Sequence, residues 1–274
     1  MSQHIQLRAP GSTANLGPGF DCFGLGLARY VTARNFGDGE PEGPESIIRQ
    51  AYEAADGKGQ VWFSHNLEPG RGLGFSAAAR SVGAGMALIE KGDNLESAKS
   101  KVFQIVADLE GHGDNAAGSV YGGLNIATRQ SCRQVNVELP QEFLIWIASK
   151  SSSTDSSRKK LPDEVSLEDA VVNIESTARL VSCFYEGDLE GLRSCREKIH
   201  QDPRLDCCPE SQTVFSAAHD IDGLHMAWLS GAGPSIGLLG TKEFYSQMSA
   251  TEFDGGKFFI LSPDTDGLAL VDKD

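Results

Sequence analysis

The run EPGRGLGFSAAARSVGAGMALIEKG, residues 68–92, constrains the fold more than any other stretch of the chain. Its glycines let the backbone approach a bound group closely, and they feed without a break into small helix formers that end at Gly92. A helix that opens at Ser76 directly on a glycine turn presents free N–H groups, and the positive end of its dipole, to whatever lies in front of it. The segment reads as a phosphate cradle or as a tight turn with close helix packing. It is not a Walker A loop, because GxxxxGK[ST] is absent, and it does not follow the GxGxxG pattern of dinucleotide sites.

Two further Gly-rich stretches, GSTANLGPGFDCFGLG at 11–26 and SGAGPSIGLLG at 230–240, share no common period with the first, so the chain is not a repeat protein. NFGDGEPEGPE reads as a surface loop, and SIIRQAYEAADGKG as a helix closed by Gly57. Helices are expected over 95–110, over LEDAVVNIESTARLVSCFYEGD and over DLEGLRSCREKIH. Strands are expected in GGLNIATRQ, QVNVELP and EFLIWIAS, on both sides of the turn in MAWLSGAGPSIGLLG, and twice in FFILSPDTDGLALV. Strands cluster rather than alternate strictly with helices, which is an α+β arrangement. With 274 residues and 40% hydrophobic composition the chain can bury a substantial core.

The net charge of −14 argues against nucleic-acid and anionic-membrane partners, which need a basic footprint. No run approaches the roughly 18 apolar residues of a membrane span, and the opening residues lack a signal-peptide core, so a cytoplasmic protein is expected. The six cysteines show no CxxC pair and read as free thiols. The same acidity means that a polyanion such as ATP must be held locally, by backbone N–H groups, a helix N-terminus and a divalent cation.

Several polar residues stand where chemistry could use them. Asn15 and Asp21 lie among glycines in an otherwise apolar segment and could line a small-molecule pocket, or form an Asx-turn and a helix cap. DLEGHGDNAAG places Asp108, Glu110, His112, Asp114 and Asn115 close together, enough oxygen ligands for Mg²⁺ with help from phosphates, or else a solvated acidic turn. Arg158 and Arg204 follow polar turns and suit a carboxylate clamp, although isolated arginines are commonly surface residues.

Taken in order, these segments resemble the homoserine kinases of the GHMP superfamily over nearly the whole chain. APGSTANLGPGFDCFGLGL resembles the N-terminal motif, GRGLGFSAAA the phosphate loop and EGHGDNAAGSVYGGL the EGHPDN-type segment. TDSSRKKLPDEVSLEDAVVN resembles the T-x-x-x-R-x-x-LP motif, EGDLEGLRSCREKIHQDPR the helix leading to a second substrate arginine, and LSGAGPSIGLL the third glycine motif.

The resemblance implies a GHMP kinase fold, with an N-terminal ATP-binding half over 1–140 of the ribosomal protein S5 domain 2-like type and a ferredoxin-like half over 141–274. It implies phosphorylation of L-homoserine by ATP, a step towards threonine, with a small-molecule substrate as partner and a homodimer as one possible assembly. The loop from Pro69 through Gly70, Arg71, Gly72, Leu73, Gly74 and Phe75 into Ser76, Ala77, Ala78 and Ala79 would wrap the triphosphate. Ser76 and Glu110 would hold Mg²⁺. Asn15, Asp21, Asn115, Arg158 and Arg204 would form the homoserine pocket, Asp21 meeting the ammonium and the arginines the carboxylate, and Thr154, Asn115 and Glu110 would stand at the reacting centre.

Three departures accompany the resemblance. Phe75 stands where the family carries Ser, Gly113 replaces the usual Pro, and the spacing between the first motif and the phosphate loop is short. A GHMP kinase for mevalonate or a sugar, and a non-catalytic binding protein with the same fold, are the competing readings. The pairing of Arg158 and Arg204 favours an amino-acid carboxylate, and retention of Ser76 and Glu110 favours an enzyme.

Overall fold

Pro10 shapes the first strand pair in the computed structural model, which describes residues 4–152 and 154–271, with the backbone alone at 154 and 155. β1 (Gln6–Ala14) and β2 (Phe23–Arg34) run antiparallel, and their register shifts between Pro10 and Gly11. A proline has no N–H to give the ladder, so the pairing breaks there and β2 carries the extra residues Ala28 and Arg29. The loop between these strands holds Asn15, Leu16, Gly17 and Asp21 at positive φ.

The chain continues through α1 (Ile47–Ala54), β3 (Trp62–His65), α2 (Phe75–Glu90), α3 (Leu95–Glu110), α4 (Asp114–Tyr121), β4 (Leu124–Ala127) and β5 (Cys132–Val135). β6 (Phe143–Ala148), α5 (Thr154–Arg158), α6 (Leu167–Glu186), a 3-10 turn (Glu190–Ser194), α7 (Gln201–Leu205) and α8 (Pro209–His219) follow. β7 (Leu224–Leu229), β8 (Ile236–Gly240), α9 (Lys242–Ala250), β9 (Gly256–Leu261) and β10 (Ala269–Leu270) complete it. Two antiparallel sheets result. The first has the order β10-β1-β2-β4-β5 with β3 also on β2, and the second has the order β7-β8-β6-β9. No helix among the described residues is long and apolar enough to cross a membrane.

β6 explains how the sheets join. All six of its residues are buried, as expected for a strand covered on both faces. Side chains alternate along a strand, so Phe143, Ile145 and Ile147 enter the large core shared with the first sheet and α2–α4. Leu144, Trp146 and Ala148 enter a smaller core with Leu205, Val214, Ala218 and Phe244.

Helix ends follow their capping signals. Asn94 accepts the amides of Glu96 and Ser97 at the start of α3, Ser166 accepts that of Asp169 in α6, and Gly111 and Gly187 close these helices in the left-handed conformation.

Two expectations are corrected. DLEGLRSCREKIH is not a continuous helix: only the 3-10 turn forms, because side chains take the amides a helix would use. Ser176 accepts from Arg196, Asn173 from Lys198, and Glu197 from Ile199, His200 and Gln201. In QVNVELP only Gln134 and Val135 belong to β5, and the strand ends well before Pro140.

Candidate active site

Gly70, Gly72 and Gly74 all have φ near +70°, so the loop before α2 winds through a backbone region that favours glycine. It is also clamped. Leu73 O accepts the Ser12 amide at 3.0 Å, Gly70 O accepts that of Ser152 at 2.9 Å, and Gly72 O accepts the Ser230 hydroxyl at 2.6 Å. A Cβ on Gly72 would stand 2.4 Å from Ser230 O, and one on Gly74 2.1 Å from Ser12 Oγ.

α2 begins at Phe75, one residue before the expected Ser76, with no side-chain cap and no acidic residue in its first turn. Its orphan N–H groups and dipole are thus left for an anion. Ala77, Ala78 and Ala79 are buried beneath, and Phe75 turns edge-on to His65 of β3, ring centroids 5.1 Å apart.

Glu110, the last residue of α3, reaches the start of α2. Its Oε1 accepts the Ser76 hydroxyl at 2.6 Å and pairs with Arg80, one turn further along α2. Hydroxyl and carboxylate oxygens are hard donors that suit Mg²⁺, and their convergence at the positive end of a helix fits a cation held with phosphates. No three His, Cys, Asp or Glu side chains gather as a metal site among the described residues. A cation here would draw its other ligands from phosphate and water, as Mg²⁺ commonly does.

Behind Glu110, His112 Nδ1 bonds to Asp114 and its Nε2 lies 4.0 Å from Glu110 Oε2. Burial opposes the imidazolium, but the Asp114 hydrogen bond and the charges of Asp114, Glu110 and Asp21 outweigh it and raise the His112 pKa.

The opposite wall comes from the β1–β2 loop, α5, α7 and the turn after β7. Asn15, at φ +71°, donates to Gly231 O at 2.8 Å and accepts the Asp21 amide at 3.0 Å, so it closes its own loop and ties it to the second half. Asp21 and Arg158 form a two-pronged ion pair at 2.8 and 2.9 Å. Asn115 accepts the Ser12 hydroxyl at 2.9 Å.

Arg204 is only 4% exposed. It bonds to Gly231 O and His200 Nδ1, both at 3.3 Å, lies over the Phe20 ring and leaves Nε without a partner. Burial lowers its pKa.

These walls enclose a cleft of about 320 Å³ lined by Asn15, Asp21, residues 69–77, Glu110, Asn115, Arg158 and Arg204. Ala78 and Ala79 lie outside its lining, within α2. The Thr154 side chain lies outside the described residues, and its backbone opens α5, one turn before Arg158. Ile47, Ser152 and residues 231–233 also line the cleft, as do His112 and Asp114, which the sequence placed only in an acidic run. Arg80, Ser12, Ser230 and His200 belong to none of the polar constellations that the sequence displays. Arg80 carried the one available signal, since it stands four residues after Ser76 on the same helix face.

No family model matches the chain. A homoserine kinase of Thermus thermophilus is 31% identical over 260 residues, covering 85% of this chain and 86% of that protein. That of Moorella thermoacetica is 34% identical over 257 residues, covering 84% and 85%. The crystal structure of homoserine kinase from Cytophaga hutchinsonii superposes with a TM-score of 0.80 at 20% identity, covering 99% of this chain and 98% of that one. The fold is therefore the GHMP kinase fold, and the chain belongs to the homoserine kinase family.

Proposed function

We propose that this protein transfers the γ-phosphoryl group of ATP to the side-chain hydroxyl of L-homoserine, giving O-phospho-L-homoserine and ADP, a step towards threonine. The observation that carries the reading is a single cleft with the uncapped start of α2 on one wall and Asp21, Arg158 and Arg204 on the other. One wall suits a polyphosphate and the other an amino-acid zwitterion.

The glycine loop and the first amides of α2 cradle the phosphates. Mg²⁺, held between Ser76 and Glu110, would neutralise charge on the transferring group. Arg204 and Arg158 receive the acceptor's carboxylate and Asp21 its ammonium. Because Asp21 and Arg158 already pair with each other, the zwitterion enters by exchange: its two charges take over a contact the site makes internally, and no unpaired charge is left behind. Asn15 and Asn115 fix the rim. Phosphoryl transfer passes through a loose transition state, so in-line positioning and charge neutralisation supply most of the acceleration and no strong base is required.

ADP release measured with Mg·ATP across homoserine, mevalonate, shikimate and galactose tests the reading. Homoserine is expected to give the highest kcat/KM. Faster turnover of mevalonate or a sugar would transfer the protein to another substrate class.

A further inference from the structure

We infer that His200 is a positioning residue for the substrate arginine, a neutral imidazole bridge that holds Arg204 against the loop carrying Asn15 and Asp21. The inference rests on the homoserine reading of the cleft and adds to it a residue that does not line the cleft.

Its geometry allows one state of the ring. His200 is fully buried. Its Nε2 lies 3.0 Å from Gly17 O, and a carbonyl only accepts, so Nε2 carries the hydrogen. Its Nδ1 lies 3.3 Å from Arg204 Nη1, and a guanidinium only donates, so Nδ1 carries a lone pair. Only the neutral Nε2–H tautomer satisfies both contacts, and an imidazolium would point an N–H at the guanidinium.

Burial pushes the His200 pKa below its ordinary value, and Arg204 acts in the same direction. Glu197, the Gly17 hydrogen bond and Asp21 act against it. The Glu197 carboxylate, 4.0 Å from Nε2, is already committed to the amides of Ile199, His200 and Gln201.

The bridge belongs to a ring of contacts. Gly231 O accepts from both Arg204 and Asn15, and Asn15 accepts the Asp21 amide. The Phe20 ring stacks on His200 at 5.0 Å and lies beneath the Arg204 guanidinium at 5.3 Å. Gln201 ties the start of α7 to β7 through the Leu229 amide at 2.8 Å. With its Nε unpartnered, Arg204 depends on His200 and Gly231 for its aim. His200 thereby sets the separation of the groups that meet the acceptor's two charges.

The test is a mutant cycle on the acceptor that the wild type phosphorylates, so a wrong substrate class is seen first in the wild type and leaves the cycle intact. His200→Leu should raise the acceptor KM about tenfold or more while kcat and the ATP KM stay within about threefold. His200→Gln, which keeps a donor and an acceptor, should regain at least about half of that loss on a logarithmic scale. In the Arg204→Ala background, His200→Leu should add less than about threefold, because it acts through Arg204.

Equal losses in both KM values and kcat, no recovery with Gln, or full additivity with Arg204→Ala would overturn the inference. If His200→Leu does not fold, ¹⁵N–¹H correlation of the wild-type imidazole at pH 7.5 decides the matter. The Nε2–H tautomer supports the bridge, and an Nδ1–H tautomer or an imidazolium refutes it.

Discussion

Glu110 has an observed role, pairing with Arg80, and a proposed one, holding Mg²⁺, and substitution can separate the two. It pairs with Arg80 and accepts from Ser76, the pair being 16% and 10% exposed. Glu110→Gln should lower turnover by at least about 100-fold, since an amide is a poorer Mg²⁺ ligand. It should also cost about 3 kcal/mol of stability, because the Arg80 charge loses its partner. Adding Arg80→Met should restore much of the melting temperature and none of the activity, and recovery of both would remove Glu110 from the cation site.

Phe75 tests the neighbouring loop. If the cradle works through backbone amides, Phe75→Ser should leave affinity for a non-hydrolysable ATP analogue with Mg²⁺ within about threefold by calorimetry, while loss of its packing on His65 costs about 2 kcal/mol. A gain of tenfold or more would mean that the natural loop lacks a hydroxyl it needs. At this scale the sequence exposed residues whose chemistry is unusual for their setting, such as Asn15 and Asp21 among glycines. It concealed Ser12 and Ser230, because a serine beside a glycine is ordinary until two distant segments meet.

The loop before α2 depends on backbone shape more than on side chains. At Gly72 the φ is +74° and a Cβ would lie 2.4 Å from the Ser230 carbonyl oxygen, which cannot swing aside as a flexible side chain would. Gly72→Ala should therefore cost at least about 2 kcal/mol and weaken binding of the ATP analogue by about tenfold or more. Gly39 is the control: its φ is +88° but no atom lies within 4 Å of the added Cβ, so Gly39→Ala should cost about 1 kcal/mol and leave nucleotide binding unchanged. Similar binding losses in both variants would mean that the loop's close approach to Ser230 is not required. Helices 3 and 6 were legible because caps, glycine stops and apolar period agreed in each, and helix 2 because its small helix formers run from a glycine turn to Gly92. The segment 188–200 misled because its helix-like composition could not show that Ser176, Asn173 and Glu197 compete for its amides.

The whole molecule is stitched by its last strand. β10 pairs with β1, and Leu268 just before it is fully buried in the core that also holds Phe143 and Trp228 of the second sheet. Leu268→Ala should cost about 2–4 kcal/mol and lower the midpoint of a single transition seen alike by circular dichroism and tryptophan fluorescence. Two separated transitions would contradict a shared core. The sequence showed two terminal strands, but not that they join different sheets, because their pairing is decided by contacts with β6 and β1, far away along the chain. It did show the components of the cleft in order, and what the fold adds is their convergence on one cleft. The most direct test compares kcat/KM for homoserine with that for 3-aminopropan-1-ol, its analogue without the carboxylate, in the wild type and in Arg204→Ala. Two charge-assisted contacts imply a wild-type preference for homoserine of about 100-fold or more, falling by at least about tenfold in Arg204→Ala. Equal use of the two alcohols by the wild type, or a preference undiminished by loss of Arg204, would contradict the assignment of this cleft to an amino-acid carboxylate.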